Sequence, residues 1–184
     1  IRIMKNIVVF GAGMSASVLI DYLAELAPKN DWVLSVGDRD LKLAKSKTKD
    51  RPNTHAFQFD VTDEMQRLSE ISKADIVVSM LPAHMHVDVA KECIALKKHM
   101  VTASYISEEM QALDAKAKAA GVVIMNEIGV DPGIDHMSAM RVLDEIRDLG
   151  GEMLQFETFT GGLPAPKSDD NPWHYKFAWN PRNV

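Results

Sequence analysis

Apolar positions along this chain fall into short runs of two alternating kinds. Ile3–Phe10, Trp32–Val36, Asp75–Met80, Met100–Ala103 and Val122–Met125 are almost continuously apolar, and a further strand ends over Ala56–Phe59. Near-continuous runs of Val and Ile are what strands buried on both faces look like. Between them, Met14–Ala27, Leu41–Lys47, Asp63–Ser72, Met85–Lys97 and Glu108–Ala119 read as helices. The first should present Val18, Leu19, Tyr22, Leu23 and Leu26 on one broad face; the fourth should turn Val89, Cys93 and Leu96 inward. Strands alternating with helical crossovers of this length predict an α/β fold with a doubly wound, parallel, Rossmann-type sheet.

The pattern changes after Asn126. Asp135–Leu149 predicts one more helix, stopped by Gly150-Gly151, and Met153–Phe159 alternates as a half-exposed strand would. Val130–Gly133 is then a hinge between a domain at 1–130 and a second at 131–184, a linker helix followed by the beginning of an α+β domain. The residues after Gly151 are too few to bury both faces of a sheet. The chain is therefore expected to be part of something longer, or to rest on a partner surface.

Composition narrows the function classes. Of 184 residues, 46% are apolar and 26% charged, which suits a packed core. No run approaches the roughly 18 apolar residues of a membrane span, and the first residues are too polar for a signal peptide. A cytoplasmic protein without a membrane partner is expected. The net charge of -5 offers no nucleic-acid footprint. Cys93 is the only cysteine, which excludes an intrachain disulfide framework and a cysteine-rich zinc site; mid-helix, it reads as a buried, inert thiol. The basic cluster Lys42, Lys45, Lys47, Lys49 and Arg51 is either a phosphate patch or a solvated helix face.

The candidate chemistry begins at Gly11-Ala12-Gly13-Met14-Ser15-Ala16, a GxGxxA turn between strand and helix. Gly11 permits the tight turn, Gly13 lets backbone approach a pyrophosphate, and Ala16 lets helix and strand pack closely. Asp38, at the end of the second strand, can accept hydrogen bonds from a ribose and favours NAD; the adjacent Arg39 keeps NADP open as the alternative. Asp40 reads as a helix N-cap. Ligands of such sheets lie beyond the strand carboxyl ends. There, Asp60 and Val61 are placed to frame an adenine, although Asp60 serves equally as a strand terminator. Leu81 and Pro82 are placed to flank the cofactor midsection. Ser104 and Tyr105 reach the crevice after the fifth strand, as ligands for a substrate carboxylate or amino group.

His84 and His86 form an HxH pair without a third ligand, so no metal is expected; helix start, substrate crevice or plain surface are their readings. In Glu127–His136, Asp131-Pro132-Gly133 is a turn before a helix start. Asp131 is the preferred ligand for a substrate ammonium and a candidate proton acceptor, His136 a candidate proton shuttle, and Glu127 a charge partner or second acid–base group. Lys176 is a candidate partner for a substrate carboxylate. A loop exposing Trp173, Tyr175 and Trp179 suggests a substrate wall or an interface, hence a homodimer.

Together these patches resemble the saccharopine reductase family, the glutamate-forming saccharopine dehydrogenases. The resemblance is carried by Gly11–Ala16, Asp60–Asp63, Leu81-Pro82, Val101–Ser107, Asn126–Met137, Gly161–Pro166, Asp170–Pro172 and Tyr175–Phe177. It implies an NAD(P)-dependent oxidoreductase acting on a small amino-acid substrate: saccharopine is interconverted with L-glutamate and L-2-aminoadipate 6-semialdehyde by hydride transfer at a C–N bond and imine hydrolysis, in lysine metabolism. It implies cofactor contacts from Gly13, Met14, Ser15, Ala16, Asp38, Arg39, Asp60, Val61, Leu81, Pro82, Ala103 and Ser104, and substrate contacts from Ser104, Tyr105 and Asp131. Asp131, Tyr105 and His136 are the acid–base candidates. The chain departs from the family at Gly37-Asp38-Arg39, where NADP-using relatives carry Cys-Arg, at Met14, and at Trp173-His174. A carboxynorspermidine-type dehydrogenase and a non-catalytic dinucleotide-binding protein are the rival readings.

Overall fold

The computed structural model describes residues 4–159 and 161–177; Ile3 and Trp179 lie outside the described residues. The chain divides after Gly129 into two compact units. The first holds a six-stranded, wholly parallel sheet of order β3-β2-β1-β4-β5-β6. Its strands are β1 (Lys5–Phe10), β2 (Trp32–Asp38), β3 (Thr54–Gln58), β4 (Ile76–Ser79), β5 (His99–Thr102) and β6 (Ile124–Met125). Its helices are α1 (Ser17–Asn30), α2 (Leu41–Thr48), α3 (Glu64–Lys73), α4 (His86–Ala95), α5 (Glu108–Gln111) and α6 (Asp114–Ala120). This is the Rossmann-type sheet expected from the pattern.

Each central strand feeds two cores because successive side chains point to opposite faces. Val8, Phe10 and Val77 join Ile71, Val89, Cys93, Met100 and Leu113 on one face. Ile7, Val9 and Val78 join Ile20, Ala24, Leu34, Val36 and Ala44 on the other. The crevice between β1 and β4 is where the strand order reverses, so the carboxyl ends of those strands are the expected ligand edge.

Several elements differ from expectation. The inward face of α1 is Ala24 and Ala27 with Ile20, following the buried Ala16; Val18 and Tyr22 are exposed. Small side chains let the helix lie close to the sheet; of the five residues expected on that face, Leu19 and Leu23 pack part-buried against this core and Leu26 is half-buried. β3 ends within Ala56–Phe59 as expected, and its first two residues, Thr54 and His55, are polar, because an edge strand does not need a continuous apolar run. The long helix at 108–119 breaks into α5 and α6, with Leu113 N–H bonded to the Met110 carbonyl in a tighter turn. That break lets both Met110 and Leu113 enter the core.

The second unit contains α7 (Ile134–Asp148) and a short 3-10 turn at Pro166–Ser168. The strand expected at Met153–Phe159 is not formed. Alternation specifies which face of a strand is apolar, but a strand also needs a neighbour to take its N–H and C=O groups, and no described residue of this unit supplies one. No described helix is long and apolar enough to cross a membrane.

Candidate functional site

Gly11 makes the turn after β1 at φ +99°, and a Cβ there would lie 2.6 Å from the Met80 carbonyl oxygen. Only glycine fits, by backbone conformation and by space. A Cβ on Gly13 would meet nothing within 4 Å, so that side of the turn is open to a ligand. Met14–Ala16 then form a 3-10 turn ahead of α1. Ala16 is buried against the sheet, whereas Met14 and Ser15 face solvent. The unpaired N–H groups of such a helix start suit an anionic phosphate.

Asp38 braces this turn. One carboxylate oxygen accepts from Ala12 N–H at 2.7 Å, the other from Asp40 N–H at 2.9 Å. Gly11 N–H donates to the Gly37 carbonyl at 2.8 Å, closing the link between β1 and β2. Asp40 caps α2, accepting from the Lys42 and Leu43 amides. Each Asp38 oxygen keeps a lone pair for a ribose hydroxyl.

Gly11, Asp38, Arg39, Asp60, Val61, Leu81 and Pro82 line one cavity of about 230 Å³ with Phe59 and Met85. Seven residues selected from sequence are thereby brought together. The volume is below the roughly 300–1,000 Å³ of whole small-molecule sites, which suits one end of a dinucleotide. The Arg39 guanidinium lies 3.3 Å from Asp60. Hydrogen bonds from the Thr62 amide and hydroxyl, with the nearby Arg39 charge, hold the Asp60 carboxyl below the usual carboxylate range.

Two side chains missed in the sequence hold the Asp60–Val61 wall from behind. Gln66 accepts from Asp60 N–H at 2.6 Å and donates to the Gln58 carbonyl at 3.2 Å. Arg67 donates to the Val61 carbonyl and makes a two-pronged pair with Glu92, at 2.9 Å and 2.6 Å to one oxygen. Arg67 lies four residues before the buried Ile71 on α3, so its helical register was the signal that could have found it.

Beyond β5, Ser104 is half-buried and Tyr105 exposed. Ser104 N–H donates to Thr102 Oγ1 at 3.2 Å. Glu127 holds the loop from its other side: its N–H donates to the Ser104 carbonyl at 3.0 Å and its carboxylate accepts from Ile106 N–H at 3.1 Å. That geometry makes Glu127 a brace for this loop. Ala103, exposed, is next to Gly129. Because β5 pairs with β4, this loop leaves the same sheet edge as Leu81 and Pro82.

The HxH pair is split. His84 is exposed, while His86 is buried with Nδ1 2.8 Å from Ser79 Oγ and Nε2 3.4 Å from Thr102 Oγ1. Consecutive turns of a helix start point the two rings in different directions, so they do not converge on an ion. Cys93 is fully buried, and burial pushes its thiol up to about 12. The basic cluster clamps α2 to α1: Lys47 reaches Ser17, and Lys49 and Arg51 pair with Asp21. Those three are engaged, which answers against a phosphate patch.

In the second unit, Asp131 precedes α7 and His136 lies in its first turn, and the Asp131–Pro132 peptide is cis. Asp135 accepts from Gly133 N–H at 3.0 Å and lies 2.8 Å from His136 Nδ1. Burial pushes the Asp135 carboxyl up, but the His136 and Gly133 bonds together outweigh it and leave the group lowered. Ligand atoms of Asp131, Asp135 and His136 lie within 4.8 Å of one another, an exposed grouping of a kind common without an ion. Lys176 pairs with Asp170 at 2.8 Å, and Trp173 is exposed.

A family model described as the saccharopine dehydrogenase NADP binding domain matches residues 7–125, and one described as the saccharopine dehydrogenase C-terminal domain matches 129–184. The chain is 39% identical over 180 residues to the NADP(+), L-glutamate-forming saccharopine dehydrogenase of Pyricularia oryzae, covering 98% of this chain and 39% of that one. It is 38% identical to the alpha-aminoadipic semialdehyde synthase of Arabidopsis thaliana, covering 96% of this chain and 18% of that one. The apo saccharopine dehydrogenase (L-Glu forming) of Saccharomyces cerevisiae superposes with a TM-score of 0.78 at 39% identity, covering 95% of this chain and 38% of that one. The chain thus spans about two fifths of the length of the saccharopine dehydrogenases it matches.

Proposed function

Since this chain belongs to the saccharopine dehydrogenase family, we propose that the full-length protein is an NAD(P)-dependent oxidoreductase interconverting saccharopine with L-glutamate and L-2-aminoadipate 6-semialdehyde. The observation that carries this is the cavity at the β1–β4 switch point, where Gly11, Asp38, Asp60, Val61, Leu81 and Pro82 converge beside an open Gly13. The first unit is the dinucleotide-binding part, and the second begins the substrate-binding part.

Gly13, Met14 and Ser15 hold the pyrophosphate with backbone N–H groups, and the buried Ala16 keeps α1 close enough to do so. Asp38 takes the adenosine ribose while bracing the turn. Its negative charge at that place supports NAD as the preferred dinucleotide, with NADP, which Arg39 would assist, as the alternative. Asp60 and Val61 frame the adenine; Leu81, Pro82, Ala103 and Ser104 line the path toward the reacting end. The nicotinamide, when bound, supplies hydride chemistry at the carbon next to the secondary amine. Ser104 Oγ and the Tyr105 hydroxyl orient the substrate's carboxylate and amino groups. Asp131 holds the ammonium and takes the amine proton; Tyr105 and His136 are the next candidates for that proton.

Exposed apolar side chains in the second unit, including Leu163 at 82% and Trp173 at 81%, support a homodimer of the full-length protein. The test of the enzyme reading is oxidation of saccharopine by the full-length protein with NAD and NADP in parallel. Turnover with either supports it. Tight dinucleotide binding without turnover overturns it, and a preference for NADP above about tenfold overturns the role given to Asp38.

A further inference from the structure

His86 is a buried ionisable side chain at the edge of the candidate site, and the proposed chemistry gives it no role. It opens α4 at 3% exposure and touches the last residues of two neighbouring strands: Ser79 of β4, fully buried, and Thr102 of β5, at 2%. The contacts form a line. Ser79 Oγ is 2.8 Å from Nδ1, Nε2 is 3.4 Å from Thr102 Oγ1, and Thr102 Oγ1 accepts from the Ser104 backbone N–H at 3.2 Å.

We propose that His86 is a positioning residue that, through the Thr102 hydroxyl, sets the backbone of Ser104 and with it the turn that orients the substrate. The proposal rests on the reading of Ser104 and Tyr105 as contacts in that site.

The chemistry gives the line a direction. Buried polar groups must be partnered, and a neutral imidazole offers one donor and one acceptor. Burial, with the nearby His84, pushes His86 down to about 4, so its ring is neutral at pH 7. Thr102 Oγ1 already accepts from Ser104, so its own proton is available to Nε2. Nδ1–H then donates to Ser79 Oγ, and both ring nitrogens have a partner. An aliphatic side chain would fill the same space against the sheet but could not orient the Thr102 hydroxyl. Thr102 would then rotate, and the Ser104 amide would lose its acceptor.

Four variants of the full-length protein test this. Thr102→Val keeps the side-chain shape and deletes the acceptor; Thr102→Ser keeps it. His86→Asn preserves a polar atom near Nδ1 only, whereas His86→Gln extends one to the Nε2 position. Thr102→Val and His86→Asn should lower kcat/KM for the amino-acid substrate roughly tenfold to hundredfold, the cost of misplacing a reacting pair. Dinucleotide Kd should change by less than about threefold, because the Gly11–Asp38 end is untouched. Thr102→Ser and His86→Gln should recover most of the loss even though all four lower Tm. Activity that simply follows Tm across the four overturns the proposal, as does an unaffected Thr102→Val. If the wild-type protein turns over no saccharopine, the readout is amide hydrogen exchange. Exchange at the Ser104 amide should rise about tenfold or more in Thr102→Val and His86→Asn, with β1 and β2 unchanged. Unchanged exchange at that amide overturns the proposal whatever the substrate.

Discussion

Glu92→Ala should destabilise the first unit more than any change of a surface charge. The Arg67 and Glu92 side chains are only 10% and 12% exposed, and their closest approach is 2.6 Å. Glu92 raises the Arg67 pKa through its hydrogen bonds, against the opposing effect of burial. Removing the carboxylate leaves a buried guanidinium without its counter-charge, which costs about 3–5 kcal/mol. Unfolding entropy of about 2.1 cal/mol/K per residue over the 129 residues of this unit turns that into a Tm lower by about 11–18 °C. Thermal unfolding followed by circular dichroism measures it. A fall below about 4 °C, about 1 kcal/mol, would mean the pair behaves as an exposed one and would refute the reasoning. The double variant Arg67→Met/Glu92→Leu separates two roles. It removes both charges and should regain most of the stability. It also deletes the donor to the Val61 carbonyl, so dinucleotide affinity should fall while Tm recovers.

The remaining expectations concern the turn and the buried histidine. Gly11→Ala places a Cβ against the Met80 carbonyl at positive φ and should cost at least about 2 kcal/mol in a thermal melt; Gly13→Ala should leave the melt within about 0.5 kcal/mol yet weaken dinucleotide binding about tenfold by titration. Asp38→Asn turns an amide NH2 toward a backbone N–H and should lose about 1–3 kcal/mol of stability along with ribose affinity. His86 has a folded pKa of about 4 against an ordinary 6.5, so between those values the unfolded chain binds more protons and stability falls as pH falls. Subtracting the pH profile of Tm for His86→Gln from that of wild type should isolate this loss, and identical profiles would show the ring is not held neutral.

The sheet was legible because its signals are local and agree with one another. Strand runs of Val and Ile, the glycine turn and the acidic cap at Asp40 each specify a neighbourhood of a few residues. What was not legible depends on partners far along the chain. Arg67 and Glu92 are 25 residues apart, and neither has a motif around it. His86 looked like half of an HxH pair, but the features that define it are Ser79 and Thr102 on two other elements. The strand expected at Met153–Phe159 failed for the same reason: alternation is local, whereas a ladder partner is not. The exposed Val18 and Tyr22 on α1 show the converse error, where hydrophobicity suggested a face that close packing against a sheet assigns to alanines.

Asp38 joins the two kinds of information. Read locally it is a selectivity marker, an acidic residue at the end of the second strand. In the fold it is first a brace, with each oxygen already taken by the N–H of Ala12 or Asp40. A carboxylate tied at both oxygens cannot swing aside to admit a further phosphate on the ribose, so the proposed preference for NAD follows from the bracing. It also follows that a neutral replacement at this position does not by itself make a good NADP site. The charge would be gone, but Ala12 N–H would lose its acceptor and the glycine turn its anchor to β2. A chain that uses NADP well through this turn must supply another acceptor there, and Arg39 must part from Asp60 to reach the phosphate.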